Sequence, residues 1–288
     1  KYYKGSERFN VYLKDVNNDG ISGQNVTINV NGVDYVKTTN DNGLASIALN
    51  LNSGNYTVSA SYAGAFGKNS TTANVNVLHT ISGNDIVKMY RNDTQYYAKF
   101  LDTTGKSLAN NTNVTFNING VMYTRHTNAS GIARLNINLN PGTYVITATN
   151  PNSSEMYSNI INVLSPIVEN NDLVKYYKNN SQYYATFLNG DGEVLDNEDV
   201  TFNINGVFYT RQTDQNGIAK LNINLNSGNY ILTAYNPNDG YSFSNKIKVL
   251  PTINSSNLVK IYKDNHQYWV TARGFNGAPL SYNDVEFN

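Results

Sequence analysis

Histidine, cysteine and their partners supply much of the chemistry of enzyme sites, and this sequence has few of them. It contains three histidines, His79, His126 and His266, and no cysteine. The histidines fall in three different sequence repeats, and no serine or carboxylate recurs at a fixed spacing from them. A catalytic triad or an acid–base pair needs such partners within hydrogen-bonding reach. The sequence therefore predicts no enzymatic activity, no cofactor, no disulfide and no thiolate metal site.

One turn carries oxygen-bearing side chains at alternate positions. Asp15, Asn17 and Asp19 precede Gly20, as at the start of a calcium-binding loop, where such oxygens converge on a hard cation. The bidentate acid expected at the twelfth position is replaced by Val26, and the other repeats lack the pattern. We favour a turn held by local hydrogen bonds of its Asx side chains, with Asp15, Asn17 and Asp19 as metal candidates on this pattern alone.

Asn-X-Ser/Thr sequences, the acceptors of N-linked glycans in secreted proteins, are frequent. In a chain so rich in asparagine many arise by chance, so glycosylation is a hypothesis that an intact mass would test. The candidate glycosylation sites are Asn25, Asn55, Asn69, Asn92, Asn110, Asn113, Asn128, Asn152, Asn179 and Asn254.

A series of aromatic residues has one member in each repeat, at an outward position of the second strand. Flat exposed rings with amides nearby are a platform on which sugars can stack. Packing across the outer face of the sheet, or burial between domains, explains them equally well, and packing is the interpretation we favour. The candidate contact residues are Tyr12, Tyr97, Tyr184 and Trp269.

The elements that position these residues come from a unit that occurs three times and begins a fourth. Its best-preserved stretch starts at Val26, Val114, Val200 and Val285. In VTFNI, apolar and polar residues alternate, which predicts a strand with one buried face. The Asn-Gly pair that follows each complete copy predicts a two-residue hairpin, because both central residues of such a turn need positive φ. About seven strands per unit predict an all-β fold of tandem immunoglobulin-like antiparallel sandwiches.

A tyrosine recurs just after the fifth alternating run, in Gly-Asn-Tyr or Gly-Thr-Tyr. Its place is that of the tyrosine corner of immunoglobulin-like sandwiches, where a buried ring sends its hydroxyl to a backbone group upstream. The tyrosines concerned are Tyr56, Tyr144 and Tyr230.

The repeat spacing sets the domain boundaries. The hairpin glycines Gly32, Gly120 and Gly206 are 88 and 86 residues apart, the size of a small sandwich domain that closes its own core. We predict an N-terminally truncated repeat 1 at residues 1–79, repeat 2 at 80–166, repeat 3 at 167–252, and the first strands of repeat 4 at 253–288. Short linkers, two of them stiffened by proline, each hold one isoleucine expected to pack between neighbouring domains. Both ends fall inside strands, so we expect the chain to be part of a longer one.

Charge and hydropathy exclude two classes of partner. Charged residues make up 15% of the 288 residues, against about 25% in a typical protein, and the formal net charge is zero. Electrostatic attraction to nucleic acid is therefore not expected. No apolar run approaches the length of a membrane span, so we expect no membrane insertion in this segment.

Two stretches carry a resemblance to a known family. VKYYKNNSQYYATFLNGDGEVL and VTFNINGVFYTRQTDQNGIAKLNINLNSGNYILTAYNP resemble the Ig-like repeats of adhesin-like surface proteins of methanogenic archaea, which are related to bacterial Ig-like domains of invasin type. The resemblance covers the three complete units and the fragment, and repeat 1 departs from it most. It implies a large secreted protein held at the cell surface, archaeal and extracellular, that mediates contact with cells or surfaces.

The resemblance also raises the question of covalent cross-links. In related bacterial surface domains a buried lysine joins an asparagine side chain in an isopeptide bond, with a neighbouring acid that polarises the amide. The first strand of each repeat has a lysine, and Asn29, Asn117 and Asn203 are available partners, but no acid recurs beside them. An edge-strand lysine that discourages sheet-to-sheet aggregation is the alternative that we favour. The candidate lysines are Lys1, Lys88, Lys175 and Lys260.

These observations predict a structural stalk or filament segment of a cell-surface adhesin, which spaces or mediates cell–cell or surface contact. Its partners would be neighbouring repeats of the same chain, other copies of itself, or cell-surface glycans. Two alternatives stay open: an array of glycan-binding modules, and a fibre subunit that assembles by strand donation between chains.

Overall fold

The structure is a computed structural model that describes residues 1–287. Every regular element among these residues is a β-strand, so the predicted all-β class is confirmed. No helix long and apolar enough to cross a membrane is present in residues 1–287. The strands of repeat 1 are β1 (Arg8–Tyr12), β2 (Asn25–Val30), β3 (Val33–Thr38), β4 (Leu44–Ala48), β5 (Gly54–Gly64) and β6 (Gly67–Val77).

The strands of repeat 2 are β7 (Ile81–Gly83), β8 (Ile86–Met89), β9 (Gln95–Phe100), β10 (Asn113–Ile118), β11 (Val121–His126), β12 (Ile132–Asn136), β13 (Gly142–Thr149) and β14 (Met156–Leu164). Those of repeat 3 are β15 (Ile167–Val168), β16 (Leu173–Tyr176), β17 (Gln182–Phe187), β18 (Asp199–Ile204), β19 (Val207–Gln212), β20 (Ile218–Asn222), β21 (Gly228–Tyr235) and β22 (Ser242–Leu250). Repeat 4 contributes β23 (Ile253–Ser255) and β24 (Val270–Ala272).

Each complete repeat folds as two sheets. In repeat 1 they are β1-β4 and β3-β2-β5-β6; in repeat 2, β12-β9-β7 and β11-β10-β13-β14-β8; in repeat 3, β15-β17-β20 and β16-β22-β21-β18-β19. The predicted Asn-Gly hairpins join β2 to β3, β10 to β11 and β18 to β19. Asn205 and Gly206 have φ of 55° and 80°, as a two-residue turn of this kind requires.

The opening strand of repeats 2 and 3 is split between the two sheets, which raises the count to eight strands. In repeat 3, β15 pairs with β17, and β16 then runs parallel to β22 in the other sheet. The chain crosses between them at Glu169, where φ is 52°. All three segments predicted as linkers contain strands, namely β7, β15 and β23. The isoleucine of the third, Ile253, is exposed. Ile81 and Ile167, expected to pack between domains, are instead buried and pair with Phe100 and Phe187 of their own repeats.

The inward side of each alternating strand forms the core. In repeat 3, Tyr183 and Phe187 of β17 pack edge-on against Phe202 of β18, with ring centroids 5.6 and 5.9 Å apart. These three side chains are almost completely buried, and burying a large side chain stabilises a fold by about 1.5–3 kcal/mol. The centre of the core is therefore formed by aromatic rings at alternate strand positions, whose side chains all point between the two sheets.

Backbone contacts divide the chain into two compact units. One contains Lys1–Val87, Asp93–Ile137 and Thr143–Asn162; the other contains Lys88–Asn92, Asn138–Gly142 and the chain from Val163 onward. Both are built from the strands described above.

Candidate functional site

One contact recurs between successive repeats. In each case the side chain that follows the lysine of the opening strand packs on a turn of the next repeat, the turn after its second strand. That turn presents a glycine with positive φ, of 90°, 84° and 81° at Gly105, Gly192 and Gly277. The contact pairs are Tyr2 with Gly105, Met89 with Gly192 and Tyr176 with Gly277.

Backbone conformation favours all three glycines, and space requires two of them, Gly105 and Gly277. A Cβ on Gly105 would overlap the ring of Tyr2, and a Cβ on Gly277 would overlap the ring of Tyr176. At Gly192 a Cβ would lie 3.5 Å from the sulfur of Met89, an ordinary contact. L-residues also resist this left-handed conformation. The ring therefore lies directly against main chain, which only glycine permits.

Hydrogen bonds and a pair of aromatic rings add to the two later contacts, those at Gly192 and Gly277. Arg91 donates from Nη1 to the carbonyl of Asp239 at 2.9 Å. Beside them, the rings of Tyr90 and Tyr241 lie 5.0 Å apart. One repeat further on, Asn179 Nδ2 donates to the carbonyl of Phe275 at 2.9 Å.

The contact between repeats 1 and 2 contains a buried carboxylate. Glu155, 6% exposed, accepts hydrogen bonds from the Thr80 amide and from Thr80 Oγ1, both at 2.6 Å. Its other oxygen faces the Ser53 hydroxyl and His79 Nδ1, the latter at 2.7 Å. Ser53 belongs to repeat 1, His79 and Thr80 to the connecting segment, and Glu155 to repeat 2. One carboxylate thus ties three segments together.

The hydrogen bonds decide the charge of Glu155. Burial alone would raise its pKa, because it penalises the charged form. The hydrogen bonds from Ser53, Thr80 and His79 outweigh burial and hold the pKa of Glu155 below its ordinary value. The side chain is therefore an anion at neutral pH.

The four cross-link candidate lysines are held by backbone carbonyls. Lys175, only 4% exposed, donates to the carbonyls of Ile223 at 2.8 Å and Ser181 at 3.1 Å. Burial lowers its pKa. The corresponding bonds elsewhere are Lys1 to Leu49 at 2.9 Å, Lys88 to Asn92 at 2.7 Å, and Lys260 to Asp264 at 3.0 Å and His266 at 3.1 Å.

Two of the three proposed asparagine partners make bonds of their own. Asn29 and Asn117 accept from the hairpin amides of Gly32 and Gly120, each at 3.2 Å. The isopeptide bond stays a prediction that these contacts do not support. Lys88 and Lys175 do lie on edge strands, since β8 and β16 are each the outermost strand of a five-stranded sheet. Both side chains are nevertheless buried, because the valine before each lysine takes the exposed side of the strand.

The Asx turn after β1 has the geometry that the sequence favoured. Asp15 Oδ1 accepts from the amides of Asn17 and Asp19, both at 2.9 Å. Asp102 and Asn189 do the same in repeats 2 and 3. Within residues 1–287, no group of three His, Cys, Asp or Glu side chains is arranged to hold a metal ion. The calcium assignment of Asp15, Asn17 and Asp19 therefore rests on the sequence pattern alone.

The glycosylation candidates differ in accessibility. Asn92 and Asn179 are half-buried, and the other eight are exposed. Among the exposed ones, Asn128 accepts from the amides of Ser130 and Ile132. The exposed sites offer room for a glycan, and their modification stays a prediction.

The aromatic series of the second strands lies at the surface. Tyr12, Tyr97, Tyr184 and Trp269 are 56%, 52%, 49% and 75% exposed. The amides beside Tyr97 and Tyr184 are already paired, since Gln95 and Gln182 donate to Asn136 and Asn222 of the neighbouring strand. All four rings are accessible, but in repeats 2 and 3 their amide neighbours are occupied.

Sequence reasoning missed a buried polar group that recurs in repeats 2 and 3. Tyr96 donates to Asn159 Oδ1 at 2.7 Å, and Asn159 Nδ2 donates to Asp85 Oδ1 at 3.0 Å. In repeat 3, Tyr183 and Asn245 form the same 2.7 Å bond. Burial raises the pKa of Tyr96 to about 12. An asparagine on the inward face of a strand was the signal that could have revealed it.

The predicted tyrosine corner is present. Tyr56 and Tyr230 donate to the carbonyls of Asn52 and Asn226, each at 2.9 Å. The rings are half-buried rather than fully buried, because one edge of each faces solvent.

Comparison with known proteins gives structural likenesses only. No protein-family model matches the chain, and no curated protein matches it. A Bacteroides ovatus protein of a mixed-linkage glucan utilization locus, solved with a heptasaccharide, is 12% identical over 88% of this chain, with a TM-score of 0.23. This chain spans 66% of its length, just under two thirds.

Two further likenesses are to tandem-domain proteins. A structure concerning host cell surface retention of a bacterial ice-binding adhesin is 16% identical, covers 86% of this chain and 90% of that one, and has a TM-score of 0.23. The I9–I11 tandem of titin is 14% identical, covers 87% and 95%, and has a TM-score of 0.29. At these TM-scores the likenesses assign no function.

Proposed function

We propose that this chain is a spacer, a stalk or filament segment of an extracellular cell-surface adhesin. It is non-enzymatic and built from immunoglobulin-like domains at residues 1–79, 80–166 and 167–252, with a fourth beginning at 253–288. Each domain closes its own core, and successive domains are held by direct contacts. The surface, which has few charges and no net charge, suits a protein that works outside the cell over a range of salt.

The observation that carries this proposal is the repeated contact of a side chain with a glycine turn. A flexible linker alone would leave domains free to reorient. Here Tyr2 packs on the main chain at Gly105, and Tyr176 packs on Gly277 in the same way. Such a contact limits bending between successive domains, which is the mechanical property of a spacer.

Spin-label distance measurements test the proposal between repeats 1 and 2. The chain has no native cysteine, so labels at Ser70→Cys and Lys99→Cys, both exposed, would be the only ones. We expect a narrow distance distribution. Gly105→Ala should broaden it, because the added methyl group displaces the Tyr2 ring.

Gly120→Ala is the matched control. Gly120 has a φ of 82°, close to that of Gly105, but a Cβ there would meet no atom within 4 Å. It therefore imposes similar backbone strain with no effect on the contact between repeats. A broad distribution in the parent chain, or equal widths for the two variants, would contradict the spacer proposal. Antibodies against the chain should label intact cells if it is displayed outside.

A further inference from the structure

The outer face of the five-stranded sheet in repeat 3 carries two aromatic rings that the other repeats lack. Phe208 on β19 is 65% exposed, and its ring centroid lies 6.2 Å from that of the half-buried Tyr235 on β21, at an interplanar angle of 40°. Repeat 2 has Met122 and Thr149 at the same register positions. The two rings flank the central strand β18.

An unpaired amide lies on β18, the strand between those that carry the rings. Asn203 of β18 is directly opposite Phe208, and its neighbour two residues back, Thr201, is opposite Tyr235. The Asn203 side chain has no hydrogen-bond partner among residues 1–287. Its counterpart Asn117 donates to Met122 Sδ at 2.8 Å and accepts from a glycine amide. The same residue type is thus occupied in one repeat and available in the other.

The groups around this amide are neutral. Thr201, Thr210 and Ser242 present hydroxyls in the adjoining row of the face. Thr233 and Ser244 hydrogen-bond each other at 2.9 Å in the row of Asn203. Charged side chains lie toward the two ends of the face, with Asp199 at one end and Lys246 and Lys248 at the other. We name the set Phe208, Tyr235, Asn203, Thr201 and Thr210 the ring-and-amide face.

We propose that the ring-and-amide face binds a neutral polysaccharide chain. The C–H surface of a sugar ring packs on an aromatic face, and an asparagine amide offers two donors and an acceptor to its hydroxyls. A flat sheet surface accommodates a chain of sugars rather than enclosing a small solute. The absence of charge at the centre of this face favours a neutral polymer over an acidic one.

This face suits a sugar better than the aromatic series of the second strands. There each ring stands alone, and in repeats 2 and 3 the amide beside it is paired across the strands, as Gln182 is with Asn222. In the ring-and-amide face, two rings and an open amide converge. The proposal goes beyond the spacer function and does not depend on it.

Affinity gel electrophoresis with hydroxyethyl cellulose, xylan and galactomannan tests the proposal with the full chain. We expect at least one polymer to retard the protein. The double substitution Phe208→Met and Tyr235→Thr, which installs the residues of repeat 2, should preserve the fold and raise the apparent Kd at least about tenfold, as loss of two ring contacts implies. Asn203→Ala should weaken binding, and Asn117→Ala should not.

Several outcomes would overturn the proposal. Migration without retardation in all three gels is one, and retardation unchanged by the double substitution is another. Retardation abolished by Tyr184→Ala instead would assign sugar binding to the second-strand series. If sedimentation shows a dimer that the double substitution converts to a monomer, the rings bind a second copy of the chain and not a sugar. None of these outcomes bears on the spin-label test of the spacer.

Discussion

Replacing the buried Glu155 should loosen the contact between repeats 1 and 2 by an amount that the geometry predicts. In Glu155→Gln the side chain keeps its shape, and its remaining oxygen can still accept from the two donors of Thr80. Those bonds change from charge-assisted, worth about 1.5–3 kcal/mol each, to neutral, worth about 0.5–1.5 kcal/mol. The expected loss is therefore about 2 kcal/mol. Glu155→Ala leaves the buried Thr80 amide unpaired and removes the charged partner of the Thr80 hydroxyl, which keeps its contacts with Ser153 and Asn150, for a loss of about 3–5 kcal/mol.

Hydrogen exchange of the Thr80 amide measures this loss locally. That amide donates to Glu155 and belongs to a residue with no exposed surface. A loss of about 2 kcal/mol corresponds to exchange about 30-fold faster for Glu155→Gln, and the loss for Glu155→Ala corresponds to several hundred-fold or more. Glu169→Gln is the control, because its exposed carboxylate accepts one bond, from Thr186. It should change exchange at Thr80 very little.

Acid should remove the difference between the parent chain and Glu155→Gln. The pKa of Glu155 is lower in the folded chain than its ordinary value of 4.5. The unfolded state therefore binds the proton first as pH falls, and the contribution of the carboxylate is complete above pH 4.5 and lost as pH falls through the folded pKa. Equal exchange rates at Thr80 in the parent and Glu155→Gln at pH 7 would refute this reasoning.

Three further predictions concern single side chains. Tyr230→Phe removes the hydroxyl that donates to the carbonyl of Asn226 and should lower the free energy of unfolding in urea by about 1 kcal/mol. An unchanged free energy of unfolding would show that the tyrosine corner does not stabilise the fold. Lys175→Ala leaves two backbone carbonyls unpaired, including that of Ile223, and should cost about 2 kcal/mol, whereas a cost near zero would support the edge-protection role. Absorbance titration should find Tyr96 ionising only near pH 12. Because unfolded tyrosine ionises near pH 10, stability falls as pH rises beyond about 10, and Tyr96→Phe should reduce that fall.

Much of the fold could be predicted because its signals are local. Alternation over five or six residues indicates a strand, and Asn-Gly fixes a hairpin through the φ values that both residues accept. The split opening strand escaped prediction, since Ile81 and Ile167 each lie in a run of only two or three strand residues. A run that short shows no alternation of apolar and polar residues. It can be recognised as a strand only from its pairing with β9 or β17 in the folded chain.

The candidate site was harder to predict for the same physical reason. Tyr2 and Gly105 are far apart in the sequence, and neither residue type by itself signals a contact between repeats. Glu155 stands alone among the repeats, so no pattern drew attention to it. Its partners Ser53 and Thr80 are ordinary loop residues until folding brings them around a carboxylate.

Sequence alone determined most of the strands, the hairpin turns, the repeat and the inward residues, because each depends on neighbours along the chain. The tertiary structure decided which side chains are available for contact. Asn117 and Asn203 occupy the same place in the same motif, yet a cross-strand methionine engages one, and a phenylalanine, which has no acceptor, leaves the other open. That difference arises from a partner on the neighbouring strand, and local pattern does not encode it.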